Sequence, residues 1–227
     1  MNDGVPLCAR CPFEPGERLC AVPDGKSPPS CPCRDEELVA EVRKRYSEPD
    51  LREFARQASI QEAEGYSGRG AECAAPRPSK PRLQEIGEFA EKMGFKNLGL
   101  VFCVGLRREA RVVEEYYTGL GFNVASVVCK AGRIPKEELG VRDAQKIRPG
   151  TSESMCNPVL QALALNRAGT ELNIVLGLCV GHDSIFMKHS EALCTVLAAK
   201  DRPSGHNPMG AVYTLDSYHR YLGETDP

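Results

Sequence analysis

Apolar residues fall along this chain in three repeated units. Leu98-Gly99-Leu100-Val101-Phe102-Cys103-Val104-Gly105, Val124-Ala125-Ser126-Val127-Val128-Cys129-Lys130-Ala131-Gly132 and Ile174-Val175-Leu176-Gly177-Leu178-Cys179-Val180-Gly181 each pass from an apolar run through a cysteine to a glycine. Runs of Val, Ile and Leu without alternation predict strands buried on both faces, and Ala192 to Ala199 predicts a fourth strand. Between them the apolar period changes to that of a helix. Leu83, Ile86, Phe89, Ala90 and Met93 form one stripe, closed by Gly94. Leu106 to Leu120, closed by Gly121, is a second helix; Pro158 to Ala168 and the short Ser184 to His189 are two more. Gly132 to Gly150 is polar and irregular, with one helical turn at Pro135 to Leu139, and Asn207 to Tyr221 is expected to be mostly helical. The order βαβαβαβ predicts an α/β fold: an open, doubly wound, mostly parallel sheet of about four or more strands. In such a sheet the carboxyl ends of the strands share one edge, where ligands bind. Cys103, Cys129 and Cys179 are therefore expected in one site, with each strand ending at its cysteine.

Residues 1–34 lack this pattern. They hold Cys8, Cys11, Cys20, Cys31 and Cys33 among Pro6, Pro12, Pro15, Pro23, Pro28, Pro29 and Pro32, with few large apolar side chains. Order in such a segment must come from a metal or from docking, because no hydrophobic core can form. Residues 35–81 read as a helical segment and linker. Asp35 to Gln57 is helical, broken at Pro49 so that a second helix starts near Glu48 or Pro49. Ser67 to Pro81 is a Gly, Pro and Arg-rich linker whose Cys73 receives no role. Residues 82–227 form the α/β domain.

Composition narrows the function. A chain of 227 residues with net charge -2 carries no electrostatic footprint for nucleic acid. No apolar stretch is long enough to span a membrane, and Met1 to Arg10 has no signal-peptide core, so a soluble, cytoplasmic protein is expected. The 11 cysteines are the outlier. An odd number in a large domain with no export signal argues for free, catalytic or metal-bound thiols rather than a disulfide scaffold. No strand is followed by a dinucleotide glycine fingerprint, a phosphate-loop lysine motif or a Gly-x-Ser-x-Gly elbow, which weakens the nucleotide and hydrolase readings of this architecture.

Further ligand-type residues fall at the predicted strand ends and helix starts. Cys156-Asn157-Pro158 opens a helix with Asn157 as N-cap, and His206-Asn207-Pro208 repeats the arrangement. Cys179 is followed by His182 and Asp183, and the fourth strand by Lys200-Asp201-Arg202. His182, Asp183 and His206 are the candidate catalytic residues; Asn157, Lys188, Lys200 and Arg202 are candidates for holding a cofactor or a small anionic substrate. Thiolates at Cys103, Cys129, Cys156 and Cys179 without a carboxylate cluster favour zinc or an iron–sulfur cluster. Three or four cysteines from separate loops can hold a [4Fe–4S] cube, and three leave one iron open. Zinc bound by Cys and His182 is the near rival, and a metal-free enzyme would use Cys179 as nucleophile with His182 or His206 as base. Cys194, within an apolar strand, reads as packing.

The amino-terminal spacing Cys8-x2-Cys11-x8-Cys20-x10-Cys31-x-Cys33 offers five thiols where four complete a tetrahedral site. Cys8, Cys11, Cys20 and Cys31 are the expected ligands, with Cys33 as substitute. Structural zinc contributes on the order of 10 kcal/mol of folding free energy, enough to order such a segment.

Phe102-Cys103-Val104-Gly105-Leu106, Val128-Cys129-Lys130, Met155-Cys156-Asn157-Pro158, Gly177-Leu178-Cys179-Val180-Gly181-His182-Asp183, Lys200-Asp201-Arg202 and Gly205-His206-Asn207-Pro208 together resemble a prokaryotic family of cysteine-rich proteins of unknown function. The resemblance extends to Cys8, Cys11, Cys20 and Cys31-Pro32, and departs from the family in the longer linker with Cys73 and the extra Cys33. It implies metal binding but no particular reaction. The expectation is an iron–sulfur protein with two metal sites. Its amino-terminal centre carries electrons from a redox partner or braces the inner site. Its inner site performs redox or Lewis-acid chemistry on a small anion. A zinc or thiol-based transferase and a non-enzymatic metal, sulfur or electron carrier are the alternatives; the oligomeric state is open.

Overall fold

The computed structural model describes residues 5–70 and 75–223; Cys73 lies outside them. The chain divides into two compact units, Met1–Ile60 and Gln61–Pro227. In the first, short 3-10 turns at Cys8–Arg10, Pro15–Glu17 and Pro32–Arg34 precede α1 (Glu36–Arg45) and α2 (Pro49–Glu64), which continues into the second unit. The Asp35 carboxylate caps α1 by accepting from the Leu38 amide at 2.9 Å. Acidic Glu36 and Glu37 lie at its amino end and Arg43, Lys44 and Arg45 at its carboxyl end, matching the helix dipole. Pro49 separates the two helices, as expected. Among the described residues of this unit none is fully buried.

In the second unit, β1 (Tyr66–Ser67) and β2 (Arg77–Pro78) form a small antiparallel pair across the linker. The last turn of α2 runs past the expected Gln57 because its end is tied to α3 (Arg82–Lys92). Gln61 donates to Glu88 at 2.9 Å, and Lys92 pairs with Glu64 at 2.7 Å. The remaining elements alternate: β3 (Asn97–Phe102), α4 (Arg107–Gly119), β4 (Asn123–Val128), α5 (Pro158–Arg167), β5 (Leu172–Leu176), α6 (His182–His189), β6 (Leu193–Ala198) and α7 (Met209–Tyr213). The strands pair in parallel in the order β4-β3-β5-β6. This is the doubly wound α/β sheet that the hydrophobic pattern predicts. Leu98, Leu100, Leu172 and Ile174 pack with Ile86 and Ala90 of α3 and Ala110, Val113 and Tyr117 of α4. Val101 and Val175 pack with Ala162 and Leu165 of α5 and Phe186 of α6 on the other face. Both faces of the central strands are thus covered, which is why their sequences do not alternate.

Two expectations are corrected. The third strand stops at Leu176, three residues before Cys179, because Gly177 turns the chain with φ of 65°. Only glycine suits that position, since an added Cβ would also lie 2.1 Å from Leu106 Cδ1. The carboxyl-terminal segment is mostly turns, with helix confined to Met209–Tyr213 and a 3-10 turn at Arg220–Leu222. The Thr214 hydroxyl there donates to the Gly210 carbonyl, and no residue of α7 is buried. Neither propensity nor packing carries the helix further.

Gly99 makes the close approach at the centre of the sheet. An added Cβ would lie 1.9 Å from Asn173 Oδ1 and 2.6 Å from Leu165 Cδ1. The fully buried Asn173 amide is fixed by Thr170 and Ser190, each at 2.8 Å, so it cannot yield. Gly99→Ala should therefore lower stability by about 1–3 kcal/mol in urea unfolding. An unchanged midpoint would show that the sheet is not packed this tightly.

Candidate functional site

The edge of the sheet is built by extending the β3–β4 ladder one residue. Phe102 and Val128 are the last registered pair, so Cys103 and Cys129 follow at matching positions on adjacent parallel strands. The Cys129 amide donates to Phe102 O at 2.9 Å, and the Cys103 amide to Leu176 O at 3.3 Å. Both cysteines are buried on the α5 face, 7% and 2% exposed. Cys156 reaches the same place through a different tether. The Asn157 amide donates to Cys129 O at 2.8 Å, and the Asn157 side chain caps α5 by accepting from the Leu160 amide. A loop of twenty-odd residues is thereby closed on the sheet edge.

The three cysteines lie together. Cys103 and Cys129 belong to one buried cluster against which Cys156 packs, and Cys129 Sγ accepts from the Val104 amide at 3.3 Å. Hydrogen bonding from Cys129 pulls the Cys103 thiol down to about 5 against the effect of burial, helped by the Gly105 amide and the Lys200 ammonium. Cys156 is pulled down to about 6, again first by Cys129, with Lys130 and His182 contributing charge. Cys129 moves far the other way, because both neighbours use its proton and burial opposes its ionisation. The balance favours ionisation of Cys103 and Cys156 and disfavours that of Cys129, with the positive charges of Lys200 and Lys130 on the side of the thiolates. Lys200 comes from the end of β6 and lies over Gly105: an added Cβ there would be 3.4 Å from Lys200 Nζ and 4.0 Å from Cys103 Sγ.

The other expected residues are placed differently. Cys179 is displaced from the strand end by the Gly177 turn, and its Sγ accepts from Arg202 at 3.1 Å. His182 opens α6, and its buried Nδ1 has no hydrogen-bond partner. The Asp183 carboxylate is used locally, accepting from the Ser184 amide at 2.8 Å. His206, at φ 69°, exchanges backbone and ring hydrogen bonds with Asp201, its Nδ1 accepting at 3.1 Å. Lys188 is exposed in the last turn of α6, about 9 Å along the helix from its start and away from the sheet edge. Cys194 Sγ contacts Ala192 O and packs on the α5 face, and burial pushes its thiol up. Sequence reasoning missed Gln161. It is fully buried, and its amide donates to Val127 O at 2.8 Å and Phe102 O at 3.4 Å, bracing the two strand ends that carry the cysteines. A polar residue within the apolar stripe of α5 was the available signal.

In the first unit, Cys8, Cys11, Cys20, Cys31 and Cys33 line one cavity of about 150 Å³. The neighbouring Cys31 raises the Cys33 thiol, with desolvation and the nearby Cys20 and Cys8 adding to the effect. The Lys26–Glu17 ion pair at 3.1 Å and the Arg18 side chain on Phe13 O at 2.8 Å hold the intervening loop. Both thiol groups have the soft, carboxylate-free donors that zinc or iron–sulfur clusters take. Among the described residues, however, no three His, Cys, Asp or Glu side chains stand in the arrangement that would already hold a metal ion.

The thiolate at Cys103 gives a pH signature. A small alkylating reagent should modify Cys103 at about pH 6, where an ordinary thiol hardly reacts, and the rate should fall as pH drops through about 5. Cys129→Ala removes the main hydrogen-bond donor and should shift the profile upward. A wild-type rate still climbing steeply above neutral pH would contradict this assignment.

Three comparisons place the chain. A family profile described as "Protein of unknown function (DUF1847)" matches residues 31–197. "Uncharacterized protein MJ0455" of Methanocaldococcus jannaschii is 46% identical over 135 residues, covering 60% of this chain and 68% of the archaeal one. No solved structure matches. No helix among the described residues is long and apolar enough to cross a membrane. The match spans β3 to β6 and the thiol-bearing edge, and the chain belongs to the DUF1847 family.

Proposed function

We propose that this chain is a metal-binding protein of the iron–sulfur type, with thiol ligands in two places. Cys8, Cys11, Cys20 and Cys31 would hold one centre, with Cys33 beside them. Cys103, Cys129 and Cys156 would hold the other at the sheet edge. The observation that carries the reading is in the first unit: five thiols face one cavity in a segment with no buried residue among those described. Apolar packing cannot fix such a backbone, whereas a metal cross-link can. At the sheet edge the thiols come from three separate segments and meet in one buried cluster. Metal binding would draw each set closer together.

When bound, a cluster supplies electron transfer or a Lewis-acidic iron. The chain's own residues supply the surroundings. Lys200 and Lys130 place positive charge beside the sheet-edge thiolates, and Arg202 extends it to Cys179. A small anion is the substrate class that this charge favours. The role of Cys179 shifts accordingly: it is held by Arg202 and lies outside the cluster that contains the other three cysteines.

Anaerobic purification followed by iron, zinc and acid-labile sulfide analysis tests the reading. Iron and sulfide with visible absorption are expected. Cys11→Ser should remove the amino-terminal share, and Cys129→Ser the sheet-edge share. Colourless protein holding zinc alone would overturn the iron–sulfur assignment, and protein holding neither metal would overturn metal binding itself.

A further inference from the structure

A second property of the sheet edge does not depend on metal. Residues at matching positions on adjacent parallel strands point to the same face, and neighbouring strands lie about 4.7–4.9 Å apart. That spacing falls within the roughly 4.4–6.8 Å between Cα atoms that a disulfide spans. Cys103 and Cys129 occupy such positions, one step beyond the Phe102–Val128 pair, and both lie in one buried cluster on the α5 face. The ladder hydrogen bonds from Cys129 N to Phe102 O and from Cys103 N to Leu176 O hold both backbones in place. Cys103 is the more accessible of the two, and the missing side chain at Gly105 leaves space beside its Sγ and Lys200 Nζ. Cys156 packs against the same cluster, but from a loop rather than from the ladder.

We propose that Cys103 and Cys129 form a dithiol–disulfide couple that exchanges with low-molecular-weight disulfides at the carboxyl edge of the sheet. The Cys103 thiolate attacks one sulfur of a small disulfide RSSR; the S–S bond breaks, RS⁻ leaves, and a mixed disulfide forms on Cys103. Cys129 gives its proton to the released RS⁻ and attacks the Cys103 sulfur, expelling the second RS⁻, which takes a proton from water. The protein dithiol loses two electrons and one small disulfide becomes two thiols. The reverse sequence, driven by excess small thiol, restores the dithiol. The couple also forms a barrier to metal at this edge, since oxidised Cys103 and Cys129 have no thiolate to offer.

The test equilibrates the full chain in graded mixtures of reduced and oxidised glutathione, both as purified and after chelator treatment. Free thiols are then blocked and the disulfides mapped by mass spectrometry. Trypsin cleavage after Arg107 and after Lys130 places Cys103 and Cys129 on separate peptides, so their link reads as one cross-linked pair. The expected result is a Cys103–Cys129 link that grows with the oxidised fraction, disappears on return to reduced glutathione and persists in Cys156→Ser. Gly105→Val should slow its formation by covering Cys103. Absence of the link from both preparations at every ratio, or a Cys129–Cys156 link in its place, would overturn the proposal. Metal content is read on the same samples, so loss of the metal reading alone leaves this result intact.

Discussion

Every polar group of Cys129 is committed to a neighbouring segment. Its amide donates to β3, its carbonyl receives the amide of Asn157, and its sulfur receives the Val104 amide within the cluster shared with Cys103 and Cys156. The residue therefore joins the ends of two strands to the start of α5. Gln161 supports the same junction from beneath by bonding to the carbonyls of Val127 and Phe102. Because these bonds are made in a buried setting, leaving any one of them unmade is costly. The thiol positions follow from the sheet register rather than from a flexible loop.

That junction also sets the charge of the site. The surroundings favour ionisation of Cys103 and Cys156 over Cys129, and Lys200 and Lys130 add positive charge. The proposed metal centre and the proposed disulfide both draw on one property, the gathering of three cysteines from separate segments into one buried cluster. The amino-terminal unit gathers five thiols around one cavity with no buried residue among those described, which is why the proposed metal is assigned a place there as well.

Much of the fold was legible in the sequence because it depends on local signals. Unalternating Val, Ile and Leu marked the strands, Gly94 and Gly121 closed their helices at positive φ, and Asn157-Pro158 opened α5. The equivalence of Cys103 and Cys129 was visible for the same reason. The Cys179 segment has the same letters, yet Gly177 ends the strand early to pass Leu106, a contact made across the fold. Asp183 and His206 carried ligand-type side chains that their own turns consume. The long helix expected after Asn207 rested on propensity alone, without a buried face to hold it. Gln161 and the placement of Lys200 over Gly105 arise from tertiary packing, which spacing along the chain does not encode.

The central claim is that Cys103, Cys129 and Cys156 act as one soft-ligand site from which Cys179 is separate. Differential alkylation of the full chain with and without saturating cadmium(II), read cysteine by cysteine, tests it most directly. The account predicts that cadmium shields Cys103, Cys129 and Cys156 together and leaves Cys179 reactive. Shielding of Cys179 to the same degree, or no shielding of the three, would contradict it.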